Sequence, residues 1–169
     1  MIKKVLSNKK IITKWFYNYA DTEEFKRKFL VTVRSLVALK KMNHTKIGLV
    51  GGISPGFDNM KVDQSIIKQN IGLSVEESTI KELVKIAKSF DQKTIDNEVL
   101  KIKSVASDIS VSNDDSFNRV ARIYFALKKM KEDNNWDSLA VQCWSQMQEL
   151  YGVAPYLARH GATPYNSCI

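Results

Sequence analysis

The chain has 169 residues, 44% hydrophobic and 26% charged, as expected for a soluble globular domain. Its apolar runs are too short to span a bilayer, and its first residues lack the features of a signal peptide. We therefore expect a cytoplasmic protein with no membrane partner. Residues 1–46 hold 12 Lys/Arg against 3 Asp/Glu, a net charge of +9, whereas residues 47–169 have a net charge of −1.

The basic N-terminal end raises the question of nucleic-acid binding. Its aromatic residues form one cluster instead of a series that could stack on successive bases, so we do not expect nucleic acid as a specific partner. A solvated lysine-rich face, or a face that meets an acidic neighbouring domain, is the better interpretation. The two cysteines, Cys143 and Cys168, have the spacing of neither a disulfide framework nor a metal knuckle, which favours a role as small apolar residues.

The first predicted helix starts at Asp21, which forms a capping-box pattern with Glu24, and runs to about Met42. We assign residues 1–45 to a basic helical segment that packs on the domain. Apolar residues recur along this helix at helical spacing: Phe25, Phe29, Val33, Leu36 and Val37.

The middle of the chain alternates between strand and helix patterns. Residues 46–52 predict a buried strand that enters a glycine turn, and residues 73–77 predict a second, short strand. A short helix between them ends at Gly72. Thr79 and Glu82 form a capping box for the next helix, whose inward residues are Ile80, Leu83, Val84, Ala87 and Phe90.

The second half predicts two long helices and a further strand. The apolar positions of the first helix are Ile95, Val99, Ile102 and Val105. Asn113 or Asp114 caps the second helix. A central strand follows over 139–144, and Ser145 then caps a short helix that ends near Gly152. Residues 153–159 are predicted to be helical, and the last six or seven residues predict another strand.

This order indicates one α/β domain over 46–169, a three-layer, Rossmann-like fold with an open, mainly parallel sheet and helices on both faces. Ligands of such sheets bind beyond the carboxyl ends of the strands. Three places meet this condition: the loop after Gly51 and Gly52, the segment 142–144, and the segment 167–169.

No complete active site can be assembled from the residues alone. The loop 51–56 matches no phosphate-binding motif and Pro55 lacks an N–H donor, so we interpret it as a tight turn that brings the backbone close to a sugar or a neighbouring segment. His44 and His160 have no partners at metal-ligand spacing. Glu76 and Glu77 are better explained as a solvated strand end than as catalytic carboxylates.

Four segments resemble the second, middle domain of the L-fucose/L-arabinose isomerase-like family. They are residues 46–57, which follow a predicted basic helix as in the family, residues 70–76, the run Ser-Leu-Ala-Val-Gln-Cys-Trp at 138–144, and the run Pro-Tyr-Asn-Ser-Cys at 164–168. The last two segments are the more specific. The resemblance implies a metal-dependent aldose–ketose isomerase of carbohydrate metabolism, with manganese as its metal and with companion domains in an oligomer.

The resemblance also assigns roles to single residues. Gln142 and Trp144 match a region that faces the sugar substrate, although Trp144 is equally well explained as a core or interdomain residue. In the family, a metal-binding Glu follows the Cys of the last strand, but here Ile169 holds that position. We therefore assign no catalytic residue, metal ligand or cofactor to this chain.

Two interpretations follow. The first is a fragment or truncated homologue of a sugar isomerase that is inactive alone. The alternative is a non-catalytic α/β binding or interaction domain that uses its basic N-terminal region to hold a partner. Whether the chain is an enzyme therefore stays open at this point.

Overall fold

The computed structural model describes Leu6, Asn8 and Lys9 together with residues 12–105, 113–142 and 145–154. The chain divides into two compact units, Met1–Met42 and Asn43–Ile169. That the basic segment packs on the α/β domain stays a prediction.

The first unit contains helix α1, Glu23–Met42. The oxygen of Thr22 accepts a hydrogen bond from the backbone N–H of Phe25 at 3.3 Å and so caps the first turn. The prediction that Asp21 caps this helix in a box with Glu24 is wrong, because Thr22 provides the cap and Glu24 forms an ion pair one turn further along the helix.

Three phenylalanines of this unit form a small cluster. The ring of Phe16 lies 5.6 Å from that of Phe25 and 6.1 Å from that of Phe29, in edge-to-face geometry. No residue of α1 is buried, although apolar residues recur along it at helical spacing.

The second unit is built on a parallel sheet of three strands in the order β2–β1–β3. Strand β1 is Lys46–Val50, β2 is Ser74–Ser78 and β3 is Ser138–Val141. Parallel pairing of all three strands confirms the predicted open α/β fold. The first strand enters a glycine turn as predicted, because the two glycines after Val50 adopt positive φ angles.

Helices connect these strands on both faces of the sheet. They are α2 (Gln64–Ile71), α3 (Ile80–Ser89), α4 (Gln92–Val105), α5 (Asp114–Asp133) and α6 (Gln146–Tyr151). A short 3₁₀ helix, Asp58–Met60, precedes α2. Among the described residues, no helix combines the length and apolarity that crossing a bilayer requires.

The hydrophobic core lies on the face of the sheet to which Gly48 and Val50 point. Helices α3, α4, α5 and α6 cover this face with buried apolar side chains that include Ile80, Leu83, Val84, Ala87, Ile95, Val99, Ile102, Phe117, Leu127 and Met147. The predicted inward faces of α3 and α4 are therefore confirmed, with Phe90 partly buried. The side chain of Val105 lies outside the described part of α4.

Most of the predicted helix caps are confirmed. The Thr79 oxygen accepts from the backbone N–H of Glu82 at 3.1 Å while the Glu82 carboxylate accepts from the Thr79 N–H at 2.9 Å. Asn113 caps α5, and Gly72 ends α2 with φ +85°. Ser145 precedes α6 as predicted, but at φ +58° its side chain makes no capping hydrogen bond.

A close approach between two elements fixes the start of β3 against β1. The buried Trp136 ring lies over Gly48, where an added Cβ would stand 2.1 Å from the ring carbon Cε3. The indole N–H donates to Oε2 of Glu76 at 2.7 Å. Next to it, a carboxylate oxygen of Asp137 accepts from the Lys46 N–H at 2.8 Å. Glycine in the strand interior is thus required by the ring above it.

The C-terminal predictions fall largely outside the described residues. Cys143 and Trp144, at the end of the predicted strand 139–144, lie outside the described residues, and so do His160, Cys168 and Ile169. The helix predicted over 153–159 lies outside from residue 155 onward, and Val153 and Ala154 are not helical.

Candidate functional site

The carboxyl ends of the three strands meet at one edge of the sheet. The N–H of Gly51 donates to the carbonyl of Ser78 at 2.8 Å, and the N–H of Gln142 donates to the carbonyl of Val50 at 2.8 Å. The chain leaves β1 toward one face of the sheet and leaves β3 toward the other. The gap between these two strand ends is therefore the topological switch point, where open α/β sheets bind their ligands.

A double-glycine turn shapes this edge. Gly51 and Gly52 have φ angles of +90° and +70°, a region that L side chains rarely adopt. A Cβ on Gly51 would lie 2.6 Å from Ile80 Cδ1 and 2.9 Å from Gln142 Cβ, whereas one on Gly52 would meet nothing within 4 Å. The predicted tight turn is present, and it lets neighbouring segments approach the backbone.

A groove of about 660 Å³ opens beside this turn, and we call it the sheet-edge groove. Its floor is the face of the sheet opposite the core, with Ile47, Leu49, Val75 and Ala140. The loop after β1 and helix α2 form its walls, with Phe57, Met60 and Ile67. The polar residues that line it include Ser54, Lys61, Gln64, Glu77 and Gln142. An apolar concavity with a few polar groups is typical of a small-molecule site.

Gln142 is the buried polar residue of this groove. Only 5% of its surface is exposed, and its Oε1 atom has no hydrogen-bond partner among the described residues. A buried amide oxygen without a partner costs about 1–3 kcal/mol, so a ligand that donates to it would relieve that cost. The structure thus places the predicted Gln142 in a ligand-sized groove, whereas the predicted Trp144 lies outside the described residues.

The adjacent carboxylates of β2 have different surroundings. Glu76 faces the core side, where its Oε1 is 2.9 Å from the Lys46 ammonium. The Lys46 hydrogen bond, followed by that from the Trp136 indole, lowers the pKa of Glu76 below its usual 4.5. Glu77 faces the groove, and its Oε1 accepts from Gln64 Nε2 at 2.7 Å. Of the two, only Glu77 is placed to meet a ligand.

A second cavity of about 680 Å³ lies at the start of α3 and is lined by both glycines of the turn. A phosphate site at a helix start depends on free backbone amides, and here Lys81 is the basic residue of the lining, beside the carboxylates of Glu77, Glu82 and Glu149. The capping box instead occupies amides of this turn, and the Glu82 carboxylate places negative charge there. The geometry therefore gives no support to a phosphate site.

The described residues do not suit a manganese ion. They contain no group of three or more His, Cys, Asp or Glu side chains that could hold a metal. A hard divalent cation needs several oxygen ligands, and the groove offers one carboxylate and neutral amides. We therefore derive no chemical step through a metal from these residues.

Sequence reasoning missed three residues of this region. The sequence analysis assigns no role to Phe57 or Trp136, and it favours a solvated strand end for Glu77. A glycine inside a strand was the available signal for Trp136, since it indicates a close approach by another group. For Phe57 and Glu77 the sequence contains no signal, because only the pairing of β2 with β1 turns Glu77 toward the groove.

Comparison with known proteins finds two distant relatives. Sulfoquinovose isomerases from Priestia aryabhattai and Priestia megaterium (strain ATCC 12872 / QMB1551) are each 23% identical to this chain over 151 residues. The match covers 89% of this chain but 34% of each relative, so the chain spans about a third of their length. No family model matches. The similarity supports a distant relationship to sugar isomerases.

Proposed function

We propose that this chain is one domain of a metal-dependent aldose–ketose sugar isomerase and forms a wall of its sugar site. The observation that carries the proposal is the placement of Gln142, a buried residue that lines the sheet-edge groove and whose Oε1 has no partner among the described residues. A sugar hydroxyl can donate to this oxygen once the side-chain amide turns it toward the groove, because in the structure the oxygen has almost no accessible surface. The distant relationship to sulfoquinovose isomerases supports a sugar as the ligand.

In this proposal the chemistry and the binding are divided between parts of a longer protein. Aldose–ketose isomerisation moves a proton between adjacent carbons, and in a metal-dependent enzyme carboxylates transfer the proton while a cation polarises the carbonyl. We assign these groups, and the manganese that the resemblance implies, to companion domains or subunits. This chain matches only 34% of each relative, which is consistent with that division. The chain alone is then expected to bind sugar without converting it.

The test is a titration of the ¹⁵N-labelled chain with L-fucose, L-arabinose and sulfoquinovose, followed by NMR. We expect dose-dependent amide shifts at Gly52, Ser54 and Gln142 with at least one aldose, at dissociation constants of roughly 1 mM or weaker for so open a site. A parallel assay with added Mn²⁺ should detect no ketose. If no aldose shifts these amides, the sugar site is refuted. Ketose formation by the isolated chain would refute the assignment of the catalytic groups to other domains.

The alternative is an interaction domain that binds a partner through its basic N-terminal region. Two observations favour it: residues 1–46 have a net charge of +9, and α1 has no buried residue. This alternative predicts that Arg27→Glu together with Arg34→Glu abolishes partner binding, while substitutions in the sheet-edge groove leave partner binding intact. The sugar titration therefore separates the two functions.

A further inference from the structure

Two of the polar residues that line the sheet-edge groove, Glu77 and Gln142, lie at the carboxyl ends of β2 and β3, on either side of β1. Glu77 pairs in register with Leu49, and both line the groove. Gln142 follows the last residue of β3 and lines the same groove from the other side of β1. Two side chains from separate strands thus border one cavity at the switch point of the sheet.

Glu77 is held in place by a neighbour on α2. The Nε2 atom of Gln64 donates to Oε1 of Glu77 at 2.7 Å. Among the described residues, nothing donates to the second oxygen, Oε2. Because Asp63 caps α2 through the N–H groups of Ser65 and Ile66, Gln64 projects from a helix end that is itself fixed. The free oxygen of Glu77 is therefore presented by a positioned carboxylate.

Each of these residues brings an acceptor oxygen, and the Gln142 amide also has N–H donors. Gln142 offers its carbonyl oxygen and Glu77 offers a carboxylate oxygen, whereas the ammonium of Lys61, also in the groove lining, lies 2.6 Å from Asp58 in an ion pair. Acceptors recognise donors, and an anionic group brought beside Glu77 would be repelled. Phe57 adds a ring that is 45% exposed at the wall, suited to the apolar C–H face of a sugar.

We propose that the sheet-edge groove selects an uncharged, hydroxyl-bearing segment of the sugar, with Glu77 as a second acceptor beside Gln142. This inference rests on the proposed function. It adds Glu77 as a residue that determines specificity, because its carboxylate excludes anionic groups from the groove. Gln64 is a positioning residue that acts through Glu77. An anionic substituent on the substrate must therefore lie outside this groove.

The test compares the affinity of variants for the best-binding aldose and for its phosphate ester, by NMR titration. Glu77→Gln should weaken aldose binding about three- to tenfold, because a charged acceptor becomes neutral. It should also narrow the preference for the aldose over the ester. The control Glu132→Gln, a charge change on exposed α5 surface, should change neither affinity.

A double-mutant cycle tests the positioning role. Gln64→Met should weaken aldose binding in the wild-type background and have no further effect in Glu77→Gln. Equal effects in both backgrounds would overturn the role of Gln64. If Glu77→Gln binds both ligands like the wild type while Gln142→Leu loses the aldose, this inference fails and the proposed function stands. If the wild type binds no aldose, both fail.

Discussion

The contact between Gly48 and Trp136 allows a stability prediction to be derived from distances. An alanine Cβ at position 48 would lie 2.1, 2.4 and 2.5 Å from three carbons of the Trp136 ring, far inside van der Waals contact. The ring is buried and is tied by its N–H to Glu76, so it cannot move aside without losing that hydrogen bond. Gly48→Ala must therefore displace either the indole or strand β1.

The magnitude follows from two opposing effects. Overpacking a well-filled core costs about 1–3 kcal/mol, and so close an approach to a rigid ring belongs at the upper end. Replacing glycine inside a strand returns about 0.5–1 kcal/mol of conformational entropy. We expect Gly48→Ala to lower the free energy of unfolding by about 2 kcal/mol, which lowers the urea midpoint by about 1 M.

The assay is urea unfolding of the wild type, Gly48→Ala, Trp136→Leu and the double variant, followed by circular dichroism. Trp136→Leu is destabilising by itself because it empties part of the core. In its background, however, Gly48→Ala should cost less than about 0.5 kcal/mol, since the clashing ring is gone. The reasoning is refuted if Gly48→Ala is neutral in the wild type, or if it costs the same in both backgrounds.

Three further predictions concern stability. Folding lowers the pKa of Glu76 below its usual 4.5, so the stabilisation from this group is complete above pH 4.5 and is lost as the pH falls through the folded pKa. Glu76→Gln should therefore reduce the loss of stability at acid pH, which urea unfolding at several pH values measures. Thr79→Ala should cost about 1 kcal/mol and Thr79→Ser much less, because only serine keeps the cap; a thermal melt checks this. Gly51→Ala should lower the free energy of unfolding more than Gly52→Ala in the same urea assay. Both alanines would hold a strained positive φ, but only the Cβ at position 51 would have side-chain atoms within 3 Å.

Local signals in the sequence predicted the helices well. The capping box at Thr79 and the glycine end of α2 depend on residues within four positions of each other, so the sequence contains the whole interaction. Where two local partners compete, the prediction failed: Thr22 caps α1, although Asp21 is a better capping residue type. At α6, Ser145 has the right identity, but its φ of +58° is not the extended conformation of a capping residue, and its side chain makes no capping hydrogen bond.

Contacts between distant parts of the chain were not predictable. The Trp136 ring reaches Glu76 across 60 positions of sequence, through the pairing of β3 with β1. Which of the two adjacent carboxylates faces the groove depends on strand register, which a one-residue slip would invert. The resemblance to sugar isomerases implies a role for Gln142, but its burial, and the lack of a partner for its oxygen among the described residues, follow only from the folded sheet.

The most direct test of the account is Gln142→Leu, measured for both stability and sugar binding. Leucine fills a similar volume without a buried oxygen that lacks a partner, so the free energy of unfolding should stay equal or rise by about 1 kcal/mol. The affinity for the aldose, measured from amide shifts in the groove, should fall at least about tenfold. The exposed control Gln148→Leu should change neither the free energy of unfolding nor the affinity. A variant that keeps its sugar affinity, or that loses stability without affecting binding, would contradict the claim that Gln142 is held in the groove for a sugar.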